Sequence, residues 1–166
     1  MKLQVSHCMT LSEVQRLLGN HFQTVRRRIL ELARWGRVRV IDLGDGYLLV
    51  CPSDMDDDPL LVAVAKMLYD LFRGSRGGKI CMTVSKFRRR LERYLPGCGE
   101  RLGKNYVAKL TEFVLRRLGA EVEVVRKCLF RRYCIDADSD LVRLAKESDF
   151  SMFKDALFSL LSGCRG

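Results

Sequence analysis

Cys8-Met9-Thr10-Leu11-Ser12 returns as Cys81-Met82-Thr83-Val84-Ser85, and the reading of that echo decides the fold. A second echo follows each copy: Tyr47-Leu48-Leu49-Val50-Cys51 is answered by Phe130-Arg131-Arg132-Tyr133-Cys134. Self-similarity within a chain marks repeated structural units. Here it divides 166 residues into two small modules, each opened and closed by a cysteine. The offset is 73 residues at the opening motif and 83 at the closing cysteines. The extra ten residues fall around Pro96 to Lys104 and are read as a loop insertion, the place a duplication tolerates best.

Working outward from the first copy, Thr10 and Glu13 form a T-x-x-E capping box that starts a helix with Val14, Leu17 and Leu18 as its apolar stripe. Gly19-Asn20 breaks it. A second helix places Phe22, Val25, Ile29 and Leu32 on one face and stops at Gly36. Arg37-Val38-Arg39-Val40 alternates as a half-buried strand, Gly44-Asp45-Gly46 turns the chain, and Tyr47 to Cys51 returns.

The acidic segment Pro52 to Asp58 is a linker, and Asp58-Pro59 fits the N-cap and first position of a helix that is apolar almost all round to Phe72. Gly74 to Gly78 is a flexible loop. The second copy follows: Thr83 caps a helix with Phe87, Leu91 and Leu95 inward, and a helix from Lys104 buries Val107, Leu110, Val114 and Leu118 up to Gly119. Glu121-Val122-Glu123-Val124 alternates as a strand, and Leu129 to Ile135 returns. Residues 137–166 supply amphipathic helices for packing or dimerisation.

Strand, helix, sharp turn, helix and hairpin, in that order over residues 3–52, resemble the winged helix-turn-helix family. The resemblance rests on element order and spacing. With the repeat it implies an α+β, mainly α chain of two tandem winged-helix modules with small antiparallel hairpin wings plus C-terminal helices. The division is then 1–52 for the first module, 53–58 for the linker, 59–136 for the second module with its leading apolar helix, and 137–166 for the tail. Only nine residues precede the capping Thr10, so that module lacks a leading helix and needs its open face covered by the C-terminal helix or a second subunit. A homodimer is expected on that ground.

Charge points the same way as the resemblance. The formal net charge is +10, with 21 Arg against 9 Lys, which favours a polyanionic partner. Arginine's planar fork suits phosphates and guanine edges. In helix-turn-helix modules the second helix enters the major groove, which assigns recognition to residues 20–35. Asn20 and His21 open that helix, and Gln23, Thr24, Arg27, Glu31 and Arg34 point away from its apolar face. Asn and Gln pair with adenine, Arg with guanine. Arg28 flanks the face, Arg26 lies nearer the core, and Arg37 and Arg39 are expected on the wing.

The second module offers Lys104, Asn105, Lys109 and Arg116 on its second helix, and Arg126, Lys127, Arg131 and Arg132 on its wing. Lys86, Arg88, Arg89, Arg90 and Arg93 crowd the helix before. This half is basic but poorer in base-reading side chains, so backbone contact or a protein partner is expected of it. The family resemblance also implies an alternative for the whole chain, an adaptor in a segregation, membrane-remodelling or basal transcription complex.

The repeat sets Cys8 facing Cys51 and Cys81 facing Cys134 at the sheet edges, as two disulfides or as free buried thiols; Cys98, Cys128 and Cys164 remain. Seven cysteines beside only two Asn and three Gln point to a hyperthermophilic archaeon or one of its viruses. Without a C-x-x-C pair, a phosphate-binding glycine motif or a hydrolase motif, no metal, cofactor or catalysis is expected. No run of roughly 20 apolar residues could cross a bilayer, and no signal peptide is visible. The expectation is a cytoplasmic, nucleoid-associated, double-stranded DNA-binding regulator or DNA-organising factor that meets no membrane.

Overall fold

Thr10 starts the first helix as its neighbours dictate: its hydroxyl accepts the N–H of Glu13 at 3.2 Å, and the Glu13 carboxylate accepts the N–H of Thr10 at 3.0 Å. The computed structural model describes residues 4–125 and 130–162. Over these it is α+β and 56% helical, with eight helices and two three-stranded antiparallel sheets.

In chain order the first copy gives β1 (Met9–Thr10), α1 (Leu11–Leu18), α2 (Phe22–Arg34), β2 (Val38–Asp42) and β3 (Leu48–Pro52). Then come α3 (Pro59–Arg73), β4 (Lys79–Thr83), α4 (Val84–Tyr94), α5 (Cys98–Leu102), α6 (Lys104–Arg117), β5 (Glu121–Val125) and β6 (Phe130–Asp136). The chain continues through α7 (Asp140–Glu147) and α8 (Phe150–Leu161). The repeat is visible in the sheets, ordered β1-β3-β2 and β4-β6-β5. Gly19 ends α1 in the left-handed region (φ 66°), and the tight turn between β2 and β3 holds Gly44, Asp45 and Gly46 all at positive φ.

The first sheet is buried on both faces. Met9, Leu48 and Val50 pack with Leu11 and Val14 of α1 and Val25 and Ile29 of α2 in a small core. Alternate residues, Cys8, Ile41, Leu49 and Cys51, belong instead to a large core built on α3, α4, α6, α7 and α8. Period-two alternation sends successive side chains to opposite faces, so one strand serves both cores. The face left open in the first module is therefore covered within the chain, by a core to which α8 contributes Phe153, Leu157, Phe158 and Leu161. No second subunit is needed there. At its centre runs α3, whose Leu60, Leu61, Val64, Ala65, Met67, Leu68 and Phe72 are all buried. Asp58 caps it by accepting from Leu61 N at 3.0 Å and also accepts the buried N–H of Cys8 at 2.6 Å.

Two expectations need correction, and two further features set the second copy apart from the first. Leu17 is 61% exposed and Phe22 37%, because Val14, Val25 and Ile29 already fill the small core. The insertion at Pro96 to Lys104 is no bare loop: it holds α5, whose entry is fixed by Glu92 accepting the N–H groups of Gly97 (2.8 Å) and Gly99 (3.0 Å). The second hairpin is slipped by one residue against the first, since Cys51 faces Arg39 whereas Cys134 faces Glu121. Finally, Val122 and Val124 are 39% and 62% exposed: they share the face of Tyr133 and Arg131 but lie out along the hairpin, past the reach of the core.

Candidate nucleic-acid interface

Seven side chains expected at the interface, Asn20, His21, Gln23, Thr24, Arg27, Arg28 and Arg34, are all exposed on or just before α2. The helix stands as a face because Val25 and Ile29 are its buried side, which turns Gln23, Arg27, Leu30 and Arg34 outward at i, i+4, i+7 and i+11. With Arg26 and Glu31 these four line one open groove along the helix. Arg27 and Arg34 make no ion pair with any described residue. Leu30, 44% exposed in the middle of the stripe, carries no sequence signal of a site, because an apolar residue on an amphipathic helix reads as core. Arg26 leans back towards the hairpin turn: a Cβ on Gly46 would lie 3.9 Å from its guanidinium. His21 caps α2 without a side-chain hydrogen bond, so its ring is uncommitted to the helix end.

The arginines expected on the first wing divide. Arg37 is exposed where the chain leaves α2. Arg39 points the other way, since it pairs across the sheet with Cys51 on the face turned from α1 and α2. It lines an open cleft with Asp54, Asp56 and Asp155, an acidic setting that a phosphate would meet with repulsion. The turn itself is also turned inward, as follows from its partner.

In the second module the corresponding helix face is covered. Lys109 of α6 donates to the Asp45 carboxylate at the tip of the first hairpin. Each group shifts the other: the hydrogen bond and charge of Lys109 hold Asp45 below the ordinary carboxylate range, and Asp45 raises the Lys109 ammonium. One turn earlier, the Tyr106 hydroxyl accepts Leu11 N (3.1 Å) and donates to Leu48 O (3.3 Å), and its ring meets Tyr47 edge-on at 5.0 Å. One turn later, Glu112 pairs with Arg116 at 3.1 Å, beside the Asp42–Gly44 segment. Lys104 and Asn105 stay exposed at the start of α6.

On the second hairpin, Arg132 is held by Glu123 across the strands at 2.6 Å, which draws that carboxyl below its ordinary range. Arg131 is exposed and lines a groove with Thr83, Lys109 and Phe130. Arg126 and Lys127 lie outside the described residues, as do Cys128 and Cys164.

Both expected cysteine pairs sit at disulfide distance. Cys8 and Cys51 have Cα atoms 4.0 Å apart, as have Cys81 and Cys134. The first pair is wholly buried, while Cys81 of the second is only half-buried on the outer face of its sheet. Cys98 is a buried free thiol, pushed up first by burial and then by the Glu92 charge. Among the described residues no group of three or more His, Cys, Asp or Glu could hold a metal ion, and no helix is long and apolar enough to cross a membrane.

Comparison with protein-family models, with curated proteins and with solved structures finds no match. The side chains themselves carry the functional reading.

Proposed function

We propose that the protein binds double-stranded DNA as a transcriptional regulator or DNA-organising factor, with α2 in the major groove. The observation that carries this is the α2 stripe Gln23, Arg27, Leu30 and Arg34, outward-facing and without an ion-pairing partner for either arginine among the described residues. It combines an amide suited to adenine, guanidinium groups suited to guanine or phosphate, and an apolar group suited to a thymine methyl. The order strand, helix, helix, hairpin, found in the first copy and again in the second with α5 inserted between its helices, and with matching sheet orders, supports the winged-helix reading of each module.

The two modules then divide the work. Since α6 is covered by the first hairpin through Lys109–Asp45 and Tyr106, base reading belongs to α2 alone. Arg28, Arg37, Asn20, His21 and Thr24 border it and are assigned to phosphate or base-edge contact. Covering of the first sheet within the chain removes the argument for a homodimer, and dimerisation is no part of this proposal.

A second reading, assembly with a protein partner through module 2, is favoured by the exposed Val122, Val124 and Phe130 on the second hairpin. Duplex affinity measured across a salt series separates the two. A DNA binder making several phosphate contacts loses affinity steeply between 50 and 200 mM salt, by about a thousandfold for six contacts. Affinity for duplex that is absent or flat with salt leaves the adaptor reading standing instead.

A further inference from the structure

Helix α4 carries a second cationic face that the α2 reading does not use. Lys86, Arg89, Arg90 and Arg93 stand at i, i+3, i+4 and i+7, opposite the buried Phe87 and Leu91. Lys86, Arg89 and Arg93 are exposed and Arg90 half-buried. None of the four forms an ion pair with a described residue.

The neighbouring carboxylates are engaged elsewhere. Glu92, the one acid on α4, turns to α5 and accepts the N–H groups of Gly97 and Gly99. Asp70 of α3 accepts the Tyr94 hydroxyl at 2.6 Å. The stripe therefore has no ion-pairing partner among the described residues. Its four residues also make like-charge pairs at helical spacing, which destabilise the free helix. Lys86 adds to that cost by placing a cation in the first turn, where the first copy has Glu13. The stripe lacks the amide and apolar groups that α2 combines with its arginines, and its cations suit phosphates.

We propose that this face of α4 is a phosphodiester-backbone site for duplex DNA, separate from α2 and indifferent to base sequence. Four cations along one helix edge match the regular charge of a nucleic-acid strand, and the bound backbone relieves their mutual repulsion. The inference adds to the α2 proposal but does not depend on it.

The test compares Arg89→Gln/Arg93→Gln, Arg27→Ala/Arg34→Ala and wild type on two unrelated 24-base-pair duplexes across a KCl series, with the melting temperature of each free protein. The α4 variant is expected to bind both duplexes more weakly, with a log–log salt slope shallower by about 1.8 for two lost contacts. Its free melting temperature should stay level or rise, an outcome a structural role for these arginines would not give. An unchanged slope overturns the α4 site. If the α2 variant loses binding while the α4 slope is unchanged, α4 fails and α2 stands. If the α2 variant binds like wild type while the α4 slope falls, the reverse holds.

Discussion

Lys109 on α6 donates to the carboxylate of Asp45, 64 residues earlier at the tip of the first hairpin. That one contact places the first module's turn on the helix face that the second module would otherwise offer to a ligand. The hairpin is therefore a clamp between modules and not a free wing. Leu43 of the same hairpin and Tyr106 of α6 share the large core, so the clamp is apolar beneath its ion pair.

The pair predicts a titration signature. Asp45 is held below the ordinary carboxylate value, so its contribution is present above about pH 4 and is lost as pH falls through the lowered value. Lys109 is raised, so its contribution is full below the ordinary lysine value and is lost as pH rises through the raised one. Following the Asp45 side-chain carboxyl by NMR should give a depressed midpoint that returns to the ordinary range in Lys109→Met. A midpoint unaffected by that substitution would show the two groups apart in solution.

Tyr106→Phe removes the hydroxyl that joins Leu11 N to Leu48 O and leaves two buried main-chain groups without it. The cost is expected at about 1–3 kcal/mol, read as a lower urea midpoint. Because the large core draws on both copies, the loss should appear in one cooperative transition. Separate unfolding of residues 1–52 would contradict the shared core.

The cysteine pairs close loops separated by 43 and 53 residues, worth about 4 kcal/mol each by chain entropy. Alkylation in denaturant without reductant should modify no more than three of the seven cysteines, and all seven after reduction. Mild reductant applied to the native protein should open Cys81–Cys134 first, since Cys81 is half-buried and Cys8 and Cys51 are fully buried. Mass spectra showing seven modified thiols at the outset would remove both bonds.

What the sequence made legible was local. Thr10 with Glu13, Gly19, the Gly44–Gly46 turn and Asp58-Pro59 each depend on a few adjacent residues and on backbone chemistry that acts over one turn. The repeat added the pairing of the cysteines. Contacts between distant residues were not legible: nothing near Asp45 announces Lys109, and nothing near Cys8 announces that Asp58 accepts its N–H. One missed signal was available. Leu48 to Cys51 is an unbroken apolar run, and such a run marks a strand buried on both faces. Taken at its word, it places the rest of the chain against the first sheet. Within the candidate site, the exposure of α2 followed from helical period, whereas the face of the sheet on which Arg39 lies depended on sheet register, which residue pattern alone leaves open.

The central claim is that α2 holds the duplex. Its most direct measurement is the dissociation constant of Arg27→Ala/Arg34→Ala against wild type on duplex DNA at fixed salt, with unchanged melting temperature as the control for folding. Both arginines are exposed and enter no ion pair among the described residues, so the fold should not suffer. At about 1–3 kcal/mol for an arginine on a base edge, affinity should fall at least about tenfold. A double variant that binds duplex as tightly as wild type would take α2 out of the interface.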